Sequence, residues 1–187
     1  MHIERRYTSN GPILIQPDIF EDERGYFYES FNDEWFKKNI CDRPFVQDNQ
    51  SKSHFGVIRG IHFQKPPYAQ AKLVRVVQGE VIDFAVDLRE GPNYRKVYSA
   101  WLSGETQRQF YIPRGFGHAF LCLRDNTIFQ YKVDAPYNKE SEGGFNYMDP
   151  QIRIDWLQYI DLKDIIISNK DKQLPYTCEE NFKFPSE

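Results

Sequence analysis

A chain of 187 residues with 40 % hydrophobic and 16 % aromatic content is expected to form one domain, residues 1–187, around one sizeable core. Its formal net charge of −3 supplies no basic field, which excludes nucleic acid and anionic membranes as partners, while leaving room for a small anionic ligand held by local arginines. Cys41, Cys122 and Cys178 lack metal or disulfide spacing, and neither a signal-peptide core nor a membrane-length apolar run is present, so a reduced cytoplasmic setting is expected.

In chain order, GPILIQP reads as a first strand and RGYFYESF as a second, opened by Gly25. NDEWFKKNI reads as a helix: Asn32 caps it, Asp33 and Glu34 suit its positive first turn, and Lys37 and Lys38 suit its negative end. That helix turns Trp35 and Phe36 towards a core. FVQDNQSKS and HFGVIRGIHFQ follow as strands.

AKLVRVVQGEVIDFAVDLR reads as a hairpin turning at Gln78-Gly79. With Val77 and Glu80 flanking the turn, Val74 falls opposite Asp83 and Lys72 opposite Ala85. Lys72, Val74 and Val76 then share a face with Val81, Asp83 and Ala85, and Lys72 is a diagonal neighbour of Asp83. The other face, with Leu73, Val77, Ile82, Phe84 and Val86, is the stronger core candidate. YRKVYSAWL, RQFYIP, GHAFLCL and NTIFQYKVD read as further strands, with a turn at Arg124-Asp125-Asn126. After SEGGFNYMDP the pattern is irregular, and the tail IDLKDIIISNKDKQLP is expected to form a short helix and a loop packed back on the body. The fold class is therefore all-β: an antiparallel sandwich or barrel with a few short peripheral helices.

Of the four histidines, His2 is terminal and His54 lies in the polar stretch SKSHFG. His62 in GIHFQ and His118 in GFGHAFLCL lie among apolar neighbours, where a hydrogen-bonded core histidine is the ordinary alternative to a functional one. The cluster around His62 offers Gln64, Gln70 and Lys72. An ammonium cannot ligate and repels a divalent cation, and no HxH pair completes a set, so no metal is expected. The remaining chemistry is proton transfer on an enclosed ligand. A carboxylate-held histidine serves as base, Lys72 steadies developing negative charge on a carbonyl oxygen, and Tyr131 in IFQYKVD supplies a proton. Strand alternation sets Arg59 and His62 on opposite faces; either a bulge at Gly60 resets the register, or Arg59 points elsewhere, into a partner subunit's site.

The ordered stretches FEDERGYFYESFN, FVQDNQSKS, GVIRGIHFQ, AQAKLVRVVQGEVIDFAVDLREGPNY, YIPRGFGHAFLCL, QYKVDAPY and SNKDKQLP resemble the dTDP-4-dehydrorhamnose 3,5-epimerase family over about residues 20–175. The resemblance implies a cupin-type jelly-roll barrel, a homodimer with an N-terminal strand exchanged, and no metal or organic cofactor. It implies His62 as base, paired with Asp171 of Ser168-Asn169-Lys170-Asp171, Tyr131 as acid and Lys72 as the strand lysine. Substrate binding carries over to Arg24, Glu29, Gln47, Asn49, Arg59, His118, Tyr137, Glu142 and Lys170. The implied substrate is a nucleotide-diphosphate sugar. The implied reaction inverts C3 and C5 of a 4-keto-6-deoxyhexose, as in dTDP-4-dehydro-6-deoxy-D-glucose to dTDP-4-dehydro-L-rhamnose, on the way to cell-surface polysaccharide.

Three stretches depart from the family pattern: FGHAF carries Ala119 after His118, Asn146-Tyr147-Met148-Asp149 replaces a Trp-Asn-Asp segment, and EGPNYRKV lacks Ser-Pro-Thr. None touches the implied acid, base or lysine. They leave open a one-centre epimerase or one for another nucleotide sugar, such as a GDP-heptose. Rivals of other classes are a silent sugar-binding cupin and a metal-dependent cupin oxygenase.

Overall fold

The computed structural model describes residues 1–185. The chain forms β1 (His2–Arg6), β2 (Ile13–Gln16), β3 (Phe20–Asp22), β4 (Gly25–Phe27), α1 (Asp33–Asn39), β5 (Gln47–Ser53), β6 (Ile58–Gln64), β7 (Lys72–Gln78) and β8 (Glu80–Asp87). It continues through β9 (Val97–Ser103), β10 (Gln109–Ile112), β11 (Phe116–Cys122), β12 (Thr127–Val133) and β13 (Glu142–Gly144), and ends with the short helix α2 (Asn169–Lys172). Two antiparallel sheets, in the orders β1-β2-β10-β7-β12-β5 and β13-β6-β11-β8-β9, face each other as a cupin jelly roll. Among the described residues no helix is long and apolar enough to cross a membrane.

Alternation decides what fills the space between the sheets. Val74 and Val76 of β7, Phe110 of β10 and Phe129 of β12 point inward from one sheet. Val81 and Ala85 of β8, Leu102 of β9 and Phe120 and Cys122 of β11 meet them from the other. The rings of Phe120 and Phe129 stack between the two sheets with centroids 4.1 Å apart. The outer faces are covered separately. Phe36 of α1 packs with Ile13, Ile15, Leu73 and Tyr111 on one side. Phe145, Ile152, Trp156 and Phe184 cover Ile61, Phe63, Ile82, Phe84 and Val86 on the other.

The helix expected at NDEWFKKNI forms with its cap: the Asn32 side chain accepts from the Trp35 N–H at 2.9 Å, and Lys37 pairs with Asp33 at 2.6 Å. Of the stretch RGYFYESF only Gly25–Phe27 is strand, and it closes an exposed hairpin with β3. The tail packs back as expected, through α2 and a bridge between Val57 and Ile166.

The hairpin expected at Gln78-Gly79 does not exist. β7 pairs with β10 and β12, whereas β8 pairs with β11 and β9. Gly79, at φ +86°, turns the chain from one sheet into the other, and a Cβ there would clash with Thr127 Oγ1. The face assignment survives this change, because both strands still point Lys72, Val74 and Val76 and Val81, Asp83 and Ala85 towards a common interior. Four of the five residues on the expected core face are buried, but in two separate clusters outside the sandwich interior. Leu73 lies under α1 on one outer face, Ile82, Phe84 and Val86 lie under the C-terminal segment on the other, and Val77 is exposed. Outer faces buried by helices and loops carry the same hydrophobic pattern as an interior.

Candidate active site

At one end of the interior a cavity of about 340 Å³ opens between the sheets. His62 and His118 enter it from β6 and β11 of one sheet, and Lys72 and Tyr131 from β7 and β12 of the other. Arg59, Asn49, Tyr137 and Glu142 also line it.

Arg59 reaches the cavity through a bulge. His118 stands opposite His62 and Phe120 opposite Arg59, so β6 carries one residue more than β11 over this interval. Ile58, Ile61 and Phe63 consequently share the outer cluster, while Arg59, His62 and Gln64 turn inward. Gly60, at φ +123°, makes this possible, since a Cβ there would lie 2.5 Å from both the Ala119 Cβ and the His118 carbonyl oxygen. Of the two alternatives for Arg59, the bulge is the one realised.

Asp171 stands behind His62. Ser168 caps α2 by accepting from the Asp171 N–H at 3.0 Å, and Asp171 Oδ1 accepts from His62 Nε2 at 2.8 Å. Burial works to raise the Asp171 carboxyl, but the hydrogen bond and charge of His62, with help from the Gly60 N–H and Ser168, bring it below its ordinary value. An ionised carboxylate only accepts, so the proton on His62 sits at Nε2 and Nδ1 is the basic nitrogen.

Lys72 is 8 % exposed. Burial lowers its pKa to about 8, against the charge of Asp83, which supports the ammonium. Its Nζ stands 5.8 Å from the Tyr131 ring centroid. Tyr131 is itself pushed up by burial, with Arg59 opposing, and so keeps its proton. Burial drives His118 well below the ordinary histidine range, assisted by the charges of Lys72 and His62, so it is a neutral hydrogen-bonding group.

The rim is a linked set. Lys170 donates to Glu142 at 2.6 Å, Glu142 accepts from the Tyr137 hydroxyl at 3.2 Å, and the Tyr137 N–H donates to Gln47 at 3.1 Å. Gln47 in turn donates to Asn49 at 2.8 Å. Lys170 lowers the Glu142 carboxyl and is raised by it. Arg24 and Glu29 are not brought to this cavity. Arg24 pairs with Asp22 on the exposed β3–β4 hairpin, and Glu29 accepts from Asn32.

From sequence, Gln64 and Gln70 stand out only as candidate metal ligands. In the structure they tie down the wall: Gln64 donates to Tyr68 and Pro136 carbonyls and accepts from the Asn138 N–H, and Gln70 donates to the Ala135 carbonyl. These bonds hold the loop that carries Tyr137. Their clue was the pairing of a polar loop rich in proline with YKVDAPY, which no local pattern connects. The ensemble sets a basic nitrogen and a protonated phenol on opposed walls of one pocket, with an ammonium in the same floor. Such a pocket can move a proton off and onto carbon while steadying an oxyanion.

The family model for dTDP-4-dehydrorhamnose 3,5-epimerase matches residues 7–179. A dTDP-4-dehydrorhamnose 3,5-epimerase of Methanothermobacter thermautotrophicus is 47 % identical over 168 residues, covering 87 % of this chain and 88 % of that protein. The crystal structure of the corresponding enzyme from Elizabethkingia anophelis superposes with a TM-score of 0.89 at 45 % identity, covering 97 % of this chain and 99 % of that one. An epimerase from Legionella pneumophila, solved in complex with dTDP-4-keto-L-rhamnose, gives 0.87 at 40 % identity over 94 % and 92 % of the two chains. By model, sequence and fold alike, this chain belongs to the dTDP-4-dehydrorhamnose 3,5-epimerase family.

Proposed function

We propose that the chain epimerises a nucleotide-linked 4-keto-6-deoxyhexose at C3 and C5, converting dTDP-4-dehydro-6-deoxy-D-glucose to dTDP-4-dehydro-L-rhamnose without metal or organic cofactor. The C4 keto group acidifies the hydrogens on C3 and C5, because each carbanion delocalises onto the C4 oxygen. His62 Nδ1 takes the proton, Lys72 holds the resulting enolate oxygen, and Tyr131 returns a proton from the opposite face, inverting the centre. Arg59 meets the diphosphate with its guanidinium fork. Tyr137, held by Glu142, stacks on the nucleotide base, while Gln47, Asn49 and Lys170 line the approach. The observation that carries this reading is that His62 and Tyr131 rise from opposed sheets into one cavity.

Incubation with the dTDP substrate in D2O tests it. Deuterium at both C3 and C5 is the expected outcome. Deuterium at one carbon indicates a one-centre epimerase, and none at either sinks the assignment for this substrate.

The same reading makes the protein a single-domain cytoplasmic homodimer. Its support is the β3–β4 hairpin, which displays Phe20, Tyr26 and Phe27 (73 % exposed) beside Arg24, outside its own chain's cavity. Docked on a second copy, the hairpin hides these rings and delivers Arg24 and Glu29 to the neighbour's nucleotide. Sedimentation of a dimer for the wild type and a monomer for Phe27→Asp is expected; a wild-type monomer removes the idea.

A further inference from the structure

We infer that Asp83 is a positioning residue of this site: sealed beneath the cavity floor, its carboxylate orients the His118 imidazole and serves as the counter-charge that keeps Lys72 an ammonium. This rests on the reading of Lys72 as the group that meets the enolate oxygen.

Asp83 lies on β8 and is 0 % exposed. One carboxylate oxygen, Oδ2, stands 2.9 Å from His118 Nε2, which leaves Nδ1 as the only His118 nitrogen available to a ligand. The other, Oδ1, is buried with no hydrogen-bond partner. A buried acceptor without a donor calls for a reason. The reason faces it across the interior: the Lys72 ammonium, aimed inward from the opposite sheet, hydrogen-bonds to none of the described residues and has only the Tyr131 ring at 5.8 Å. Two groups of opposite charge, each incompletely satisfied, are thus buried towards one another, where a charge without a counter-charge is costly.

The groups around them do not replace Asp83. Arg59 and His62 face the cavity from β6, His118 from β11 and Tyr131 from β12, and the Tyr7 hydroxyl, which feels the charge of Asp83, is committed to the Ser99 carbonyl. Asp171 is bound to His62. Asp83 is thus the carboxylate whose charge acts on Lys72 and supports its ammonium against burial. Burial raises Asp83 itself, opposed by Lys72, so each charge supports the other.

Asp83→Asn keeps the shape and an oxygen for His118 but removes the charge. At pH 8 its kcat is expected to fall on the order of 10²-fold, the size of a lost oxyanion donor, with KM little changed. The loss shrinks towards pH 6, because the alkaline limb of the rate profile moves to lower pH by about two units. Asp83→Glu restores that limb. Carbon-13 NMR of lysine-labelled protein without substrate, with the Lys72 signal assigned by its loss in Lys72→Met, reads the same titration directly. A Lys72 that titrates identically in wild type and Asp83→Asn overturns the inference, as does a uniform activity loss at every pH. Where Asp83→Asn does not fold, the carboxyl signal of aspartate-labelled wild type decides: an ionised Asp83 at pH 7 supports the inference and a protonated one ends it. The NMR arms need no turnover. A wild type that incorporates no deuterium therefore defeats the epimerase reading while leaving the Asp83–Lys72 pairing to its own test.

Discussion

His62 Nε2 lies 2.8 Å from Asp171 Oδ1, a contact between residues 109 positions apart. It joins β6 of one sheet to a one-turn helix in the C-terminal segment, and it leaves the imidazole one basic nitrogen. A positioned acid or base contributes about 10²–10⁴-fold to a proton transfer. His62→Ala and Tyr131→Phe are therefore each expected to lose kcat within that range while binding dTDP almost as tightly as wild type. Turnover assays with calorimetry on dTDP check both halves, and near-normal rates in both variants would remove the two residues from the chemistry.

Asp171→Asn replaces an acceptor with an amide that can donate, which turns the histidine tautomer and exposes the wrong nitrogen. Activity should drop on the order of 10²-fold or more with the fold intact. The lowered Asp171 carboxyl also predicts a stability effect. A carboxylate whose folded-state pKa lies below its unfolded value contributes stability above the unfolded value and loses it as pH falls through the folded one. Wild type should thus lose stability more steeply than Asp171→Asn as the pH drops below about 4, measured by denaturant unfolding at stepped pH.

Lys72 predicts an alkaline limit on catalysis. With its pKa lowered to about 8, the ammonium is lost above that pH, and kcat/KM should decline there before the more weakly acidic Tyr131 gives up its proton. Stability moves the other way. Between pH 8 and the ordinary lysine value of about 10.4 the unfolded chain binds a proton that the folded chain has released, so this group makes the fold more stable as pH rises through that window. Lys72→Met should cost roughly 10²–10³-fold in kcat and abolish the alkaline limb. A limb unchanged in that variant would assign it to another group.

Gly60→Ala places a methyl group 2.5 Å from the His118 carbonyl oxygen at a backbone φ of +123°. The clash is with a neighbouring strand, so it cannot be relieved by rotating a side chain. Loss of about 2 kcal/mol or more of stability is expected, together with weaker nucleotide binding as Arg59 is displaced. Thermal unfolding and dTDP titration measure the two effects; a variant as stable as wild type would mean that the bulge tolerates a side chain.

Much of the framework was legible in the chain itself. The cap, charges and apolar positions of NDEWFKKNI define α1, because a helix is closed by bonds between near neighbours. Alternation assigned Lys72 and Asp83 to one face and singled out His62 and His118 as polar residues in apolar strands. Which strands lie side by side was another matter: ladder hydrogen bonds are made by the backbone and are blind to side chains, so nothing local distinguishes a hairpin at Gln78-Gly79 from a corner between two sheets. The bulge at Gly60 was one of two readings until the register of β11 chose it. The links from Asp171 to His62, from Gln64 and Gln70 to the Tyr137 loop, and from Asp83 to His118 depend on segments that meet only when the sandwich closes. Side-chain chemistry and facing are written in residue order, whereas proximity across the interior is set by the closing of the two sheets, and the site lies at that junction.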